Sequence, residues 1–477
     1  MRRTFAFVLL LFCAAALVAQ TTDTASIRGT ITDPNGAPLP GVTATLENTR
    51  GTSRTAVTNT AGEYLFGTIP ASGTYRLRFT LSGFAESTHG PFVLRAGETA
   101  TINARLAAQA LTEAVTVIGT TEHVRGDSPE LGVRLDETAI ANTPIPGRKL
   151  TTLPLLNSAV RPARGTGDLF LNNTLFVVNG GGRRQTNYTI DGSTANDAWG
   201  RQTIFTNVPL SAVHELTVLT NPFSAEYGHT TGSVVNVITR AGTNELHGDA
   251  IVLYRPGSLQ ANAPVTNLDA EDELKQFSAT LGGPIVRDRT HFLAAFEASD
   301  QDRGSIITSA LAPGVYTGEY RQMLAMLRFD HELAASNHLT ARANLDRFRD
   351  TNPADVVGGV TLPSAGRTFR RETSSLQLTD TMLLTSTLFN EARIIGQWGS
   401  PITQFEPHEA STQFVRPGVS TEGESRSARL TNRQYQLADT ISWTIGAHSI
   451  RAGGDYLRSR SGGNGQEFGA PFVLGQF

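Results

Sequence analysis

Cysteine is almost missing from this chain of 477 residues, and Cys13 is the single example. It lies inside a basic-then-apolar opening, so the rest of the chain can build no disulfide, no Cys-based zinc site and no cysteine nucleophile. Lysine is nearly as scarce: only Lys149 and Lys275 occur, and every other fixed cation is Arg. With a net charge of −3 and no strongly basic stretch, the chain offers no electrostatic footprint for nucleic acid. Beyond residue 18 no apolar run approaches the ~20 residues that cross a membrane as a helix. Membrane entry would therefore require strands closed into a barrel, which satisfies backbone hydrogen bonds between strands. Catalytic signatures are lacking too. His214-Glu215 and His331-Glu332 lack the second His of a zinc pair, and Gly180-Gly181-Gly182-Arg183-Arg184 lacks the Lys-Ser/Thr of a phosphate loop. No nucleophile elbow accompanies the Ser, His and Asp residues. An enzyme, a metal site or a bound cofactor is not expected.

What is present is turn-rich and alternating. Charged residues make up 17% and hydrophobic residues 39%, with 46 glycines, which excludes both a disordered chain and a helical membrane protein. Met1-Arg2-Arg3 followed by Thr4 to Val18 reads as a signal peptide over residues 1–20, with a small-residue exit near Ala19 or Gln20. Phe12 is bulky where an acylated cysteine at position 13 would want a small neighbour, which argues against a lipoprotein. Residues 25–107 carry short alternating strands separated by turns, among them Ile27–Ile31, Gly41–Leu46, Gly62–Phe66, Gly73–Phe79 and Ala100–Leu106, and predict a small β-sandwich.

Between Asn187 and Gly242, three β-branched runs (Tyr188–Ile190, Leu216–Leu219, Val234–Thr239) are punctuated by Asp191-Gly192, Asn221-Pro222, Tyr227-Gly228 and Thr231-Gly232. Leu210–Leu216 is expected to form one or two helical turns, giving a small mixed α/β unit over 124–241. From Glu245 the period changes to long alternating strands. Phe277, Ala279 and Leu281 oppose Gln276, Ser278 and Thr280, and Phe292, Ala294 and Phe296 oppose His291 and Glu297. Met323, Ala325, Leu327 and Phe329 oppose Arg328 and Asp330. An apolar exterior and polar lumen are what a transmembrane barrel requires. Short turns near Val286–Arg289, Ala335–Asn337, Leu384–Ser386 and Gly446–Ala447 alternate with long polar stretches near 256–273, 300–320, 350–370 and 399–432.

The stretch from Asp191-Gly192 through Glu215, then Ser224-Ala225-Glu226-Tyr227-Gly228 and Asn236-Val237-Ile238-Thr239-Arg240, resembles the plug domain of TonB-dependent outer-membrane transporters. Glu245–Arg255 and Gln276–Glu297 resemble the Oar-like branch of that family. Residues 25–107 resemble the carboxypeptidase-regulatory-like domain, whose name carries no peptidase activity. The fold class expected is thus mainly β: an N-terminal β-sandwich, a small α/β plug domain and a partial transmembrane antiparallel β-barrel over 245–477. The resemblance implies outer-membrane localisation, with membrane lipid around the barrel. It implies import of a bulky extracellular ligand (an iron chelate, an oligosaccharide or a peptide) and a TonB-type energising protein in the periplasm. In linker 108–123, Glu113, Ala114, Val115, Thr116, Val117 and Ile118 match the position of the Ton box, which pairs as an added strand with that protein; the rival reading is a last sandwich strand. Arg183, Arg184 and Arg201 are candidates either for plug–barrel pairing or for ligand contact. The length after Glu245 holds about ten strands where the family has 22, so a chain ending inside the barrel is expected, against a natural end at Phe477. A surface adhesion or assembly protein using the barrel as an anchor is the alternative function.

Overall fold

A computed structural model of the protein describes residues 24–108, 132–162, 176–196, 206–445 and 448–474, short stretches within these ranges excepted. The proposed signal segment and the linker with Glu113–Ile118 lie outside the described residues.

The first unit holds β1 (Thr24–Thr32), β2 (Thr43–Asn48), β3 (Ser53–Val57), β4 (Glu63–Pro70), β5 (Thr74–Thr80), β6 (Ser87–Val93), β7 (Thr99–Thr101) and β8 (Ala104–Arg105). They form two sheets, β4–β1–β7 with β8 also on β1, and β3–β2–β5–β6. Alternation sorts the side chains: in β5, Tyr75, Leu77 and Phe79 are buried while Arg76 faces water. The resulting apolar core, with Ile27, Ile31, Leu46, Phe66, Leu77 and Phe79, closes entirely within residues 25–106.

The second unit comprises β9 (Gly132–Asp136), α1 (Glu137–Asn142), a 3-10 helix Leu150–Leu156, β10 (Val160–Pro162), β11 (Phe176–Val178), β12 (Thr186–Ile190), β13 (Ser193–Thr194), β14 (Val213–Leu219) and β15 (Ser233–Thr239). Its five-stranded sheet has the order β13–β12–β15–β14–β9, with β12 and β15 parallel and the other pairs antiparallel. The helical turns expected over Leu210–Leu216 are confined to Leu210–Ala212; Val213 already begins β14. Pairing overrides local propensity here, because β14 is laddered by β15 on one side and β9 on the other. Every residue of β15 is buried.

The third unit is a curved antiparallel sheet of ten strands. It contains β16 (His247–Arg255), β17 (Glu273–Val286), β18 (Thr290–Ile307), β19 (Gly314–Ala334), β20 (Asn337–Thr351), β21 (Arg367–Leu383), β22 (Leu388–Gly399) and β23 (Ile402–Phe405). After β24 (Gln413–Arg416) and β25 (Ser420–Glu422), a small separate sheet completed by β28 (Phe472–Leu474), come its last strands, β26 (Ser427–Ile445) and β27 (His448–Gln466). Strand β23 continues the line of β22, since β21 and β26 pair with both. Among the described residues, β16 and β27 form the two edges. The polar stretch 300–320, expected as a loop, is largely strand: Gln301 pairs Tyr320 and the ladder runs up to Ile307 and Gly314. Hydrogen bonding between neighbouring strands continues beyond the apolar band, where alternation of side-chain polarity no longer marks it.

The exposed and buried faces are inverted relative to a water-soluble sheet. Phe277 is 43% exposed while its neighbour Gln276 is 4% exposed. Leu281, Phe296, Leu327, Phe329, Leu376, Ile394, Leu437, Ile441 and Trp443 share the outward face, and Ser278, Glu297, Arg328, Asp330, Arg342, Gln377, Arg393 and Gln436 are buried inward. An apolar outside and a polar inside are the requirement of a lipid-facing barrel wall. Among the described residues no helix is long and apolar enough to cross a membrane.

Candidate functional site: the plug–barrel interface

The second unit sits against the concave face of the third, and the contact is mostly polar. Its centre is the turn joining β12 to β13. Asp191 and Gly192 have φ of 45° and 71°, the left-handed pair that closes a two-residue hairpin and that Asp-Gly adopts at little cost. The tight turn brings the Asp191 carboxylate back to its own sheet, where Thr239 donates from its backbone N (2.8 Å) and from Oγ1 (2.7 Å). The same carboxylate lies 3.3 Å from Arg342 Nε and 4.0 Å from Arg328 Nη1.

Those two arginines are directly opposed across β19 and β20, a pairing that destabilises an isolated sheet. Asp330 answers Arg328 from the wall side at 3.0 Å, and Asp191 of the plug answers Arg342. Arg328 also donates to the carbonyl O (3.1 Å) and Oγ1 (3.0 Å) of Thr239, and Gln377 Nε2 donates to Asp191 O at 2.8 Å. Arg342 donates to Ile190 O at 3.3 Å. Asp191, Arg328, Arg342 and Asp330 are all at most 5% exposed, so the cluster is dry.

Further tethers ring this centre. Thr194, on the short edge strand β13, gives its N–H to Gln436 Oε1 (2.9 Å) and its carbonyl accepts from Gln397 Nε2 (2.6 Å), so barrel side chains cap a strand edge. Asn207 donates to Asp346, which also holds Arg371 at 2.7 Å, and Leu210 N donates to Glu297. His229 Nε2 meets Asp455 at 3.2 Å, and the hydrogen bond to that carboxylate raises the His229 pKa. Lys149 is half-buried with its ammonium 4.2 Å from the Tyr320 ring centroid, and desolvation lowers its pKa to about 8. Arg240 spans units, 3.1 Å from Glu137 and 3.2 Å from Asp249. A hydrogen bond from His214, ahead of the Arg240 charge, holds Glu137 below the usual carboxylate range.

Apolar contact joins the polar set in one place. Leu293, Ala295 and Met326 point inward from β18 and β19 and complete the plug's own core with Val208, Leu210, Leu216 and Val235.

Of the residues singled out from sequence, Asp191, Gly192, Thr239 and Arg240 are brought together at this interface. Asn236 serves inside the plug, accepting from Thr189 Oγ1 at 2.7 Å, and Glu215 accepts from Thr217 Oγ1 at 2.7 Å. Gly228 is buried and its carbonyl accepts from Asn187; Tyr227 is half-buried beside it. Glu226, Arg183, Arg184, Arg201 and Glu113–Ile118 lie outside the described residues. Sequence reading missed the wall partners Arg342, Gln377, Gln397, Gln436 and Asp455. Nothing in sequence says which lumenal side chain meets the plug.

Residues 26–107 match the carboxypeptidase regulatory-like domain family, and residues 238–318 and 315–477, together half the chain, match the outer membrane β-barrel domain family. A curated relative, the TonB-dependent transporter Oar of Myxococcus xanthus, is 30% identical over 304 residues, 61% of this chain and 28% of that protein. Among solved structures, the outer membrane transporter YddB of Escherichia coli superposes with a TM-score of 0.51 at 13% identity. A variant of the ferric enterobactin receptor of Pseudomonas aeruginosa gives 0.50 at 16%. Each covers 69% of this chain and 48% of its own, so the chain spans about half the length of these structures and less of the curated relative. These likenesses agree with a wall of ten antiparallel strands, apolar outside, around a small mixed sheet. The chain belongs to the outer membrane β-barrel domain family, carries an N-terminal carboxypeptidase regulatory-like domain, and resides in the outer membrane.

Proposed function

We propose that this chain works in a TonB-dependent transporter, with residues 124–241 as a plug that is shifted to admit a bulky ligand. One observation carries the reading: the plug is docked mainly by separate hydrogen bonds and ion pairs instead of a continuous apolar seam. A neutral hydrogen bond contributes only about 0.5–1.5 kcal/mol net and one to a charged group about 1.5–3 kcal/mol, so tethers such as Thr194–Gln397 and Asn207–Asp346 can be released in sequence by a pulling force. The force would arrive through Glu113–Ile118, pairing with a periplasmic TonB-type protein as an added strand. Ligand would meet the long-loop rim, where Ile307, Val357 and Leu362 pack the loops together. Iron chelates, oligosaccharides and peptides remain the candidate ligand classes; the ferric enterobactin of the Pseudomonas receptor is that protein's ligand.

The test is deletion of Thr112–Ile118 in cells offered labelled members of each class. Accumulation that requires the proton gradient should vanish, with surface binding intact. Accumulation unchanged by the deletion removes the assigned role. Binding with no gradient-dependent accumulation in the undeleted protein favours an adhesion or assembly anchor.

A further inference from the structure

The lumenal pair Arg328–Arg342 receives a carboxylate from the plug, but the outward face of the same two strands and of neighbouring β21 carries arginines with no such answer. Arg321 of β19 stands opposite Arg349 of β20, and Arg349 opposite Arg370 of β21. All three are exposed, and alternation places them on the face that carries Leu327, Phe329, Leu376 and Leu378. The row therefore runs along the long-loop border of the apolar band. Arg347, one residue pair nearer the band, adds a fourth guanidinium opposite Met323. Like charges directly opposed across strands destabilise a sheet unless something compensates them. The chain supplies part of the compensation: Glu372 lies 2.6 Å from Arg347, and Asp300 and Glu319 lie 3.4 and 3.5 Å from Arg321. Among the described residues, Arg349 and Arg370 have no ion-pair partner. Where β22 ends at Gly399 and β23 resumes at Ile402, the wall leaves a groove of about 470 Å³ with these guanidiniums around it.

We infer that this groove binds the phosphate-bearing headgroup of an outer-leaflet lipid. Planar guanidiniums pair with phosphate oxygens two at a time, which lysine cannot do. Basic pockets at a membrane border take anionic headgroups in this manner. The position selects a lipid over a soluble anion, because a headgroup held by Arg349 and Arg370 would lay its acyl chains along Met323, Leu327 and Leu376. Binding would also replace the missing counter-charge of the arginine row, so lipid would act as part of the wall.

The experiment uses the full chain extracted from outer membrane in neutral maltoside micelles. Native mass spectrometry titrates it with bisphosphorylated lipid A, with the same lipid stripped of phosphate, and with inorganic phosphate. The double variant Arg349→Gln/Arg370→Gln should bind the phosphorylated lipid at least about tenfold more weakly. The control Arg255→Gln, which removes another exposed wall cation at 2.6 Å from Asp272, should bind as the unaltered chain does. The stripped lipid should bind the unaltered chain no better than the double variant binds the phosphorylated one. Undiminished binding of the phosphorylated lipid by the double variant overturns the inference. Equal affinity of the unaltered chain for both lipids does so as well, even if the double variant fails to assemble. Full competition by millimolar inorganic phosphate would assign the groove to a free anion instead.

Discussion

The N-terminal sandwich and the plug are built from similar short strands, yet they complete their cores differently. The sandwich buries Ile27, Leu77, Phe79 and their neighbours using only residues 25–106. The plug borrows Leu293, Ala295 and Met326 from the barrel wall, and its central carboxylate is matched by barrel arginines. One unit is self-sufficient and the other is a guest whose fold and docking are a single free energy. This places the stability of the guest partly in residues of its host.

The largest expected effect comes from the charge cluster. Asp191→Ala leaves Arg342 buried without its plug carboxylate, and breaking such a pair typically costs about 3–5 kcal/mol. Amide hydrogen exchange should speed up across β12 and β15 while the sandwich strands keep their protection. Equal loss of protection in both units would break the comparison.

Truncations in the two cores sharpen it. Phe79→Ala should cost about 3–5 kcal/mol and Leu293→Ala about 2–5 kcal/mol. The first should loosen only the sandwich. The second, although made in the barrel, should be read out in the plug, as faster exchange of β14 and β15. If Leu293→Ala leaves plug exchange unchanged, the shared core has no energetic meaning.

Smaller again is a pH effect at Lys149. Docked, its pKa is about 8, below the ~10.4 of a lysine in water, so the docked state binds that proton less well than the released one. The penalty is fully present below pH 8 and fades as pH rises from about 8 towards 10, so this group makes docking stronger with rising pH in that window. Lys149→Met should flatten the trend, measured as plug protection factors, with each exchange rate divided by that of an unstructured amide at the same pH and temperature, across that range. A slope identical in the variant would place its origin elsewhere.

These regions also differ in how much of them the sequence disclosed. Sandwich strands and barrel faces were legible because burial follows period two: Leu77 and Phe79 point in, and Phe277 and Leu281 point out, by the same rule applied to different solvents. Asp191-Gly192 was legible because a left-handed turn constrains residue type. Legibility failed where a contact depends on the third dimension alone. Val213–Leu216 became strand because β9 and β15 flank it, and β9 lies nearly eighty residues upstream. Leu293 and Ala295, inward and apolar, contradict a uniformly polar lumen because a plug core lies against them. The pairing of Arg342 with Asp191 was set by docking, which no local sequence pattern encodes.

The smallest effect tests the rim of the guest. His229 touches Asp455 of β27 at 3.2 Å, with its ring 39% exposed, so solvent screens the pair and its contribution should fall within about 0–1 kcal/mol. Its docked pKa is raised, so the contribution is fully present below the ordinary His value of about 6.5 and is lost as pH climbs through the raised value. The sign is opposite to that of Lys149. The loop between β14 and β15 should therefore show higher protection factors, exchange rates being divided by the base-catalysed rate of an unstructured amide at each pH, at mildly acidic than at alkaline pH. His229→Gln, which keeps a hydrogen-bonding side chain but cannot charge, should abolish that difference while leaving exchange in β15 itself unchanged. If the acid–alkaline difference survives the substitution, the plug's rim is not held by this pair, and its docking rests on the dry centre alone.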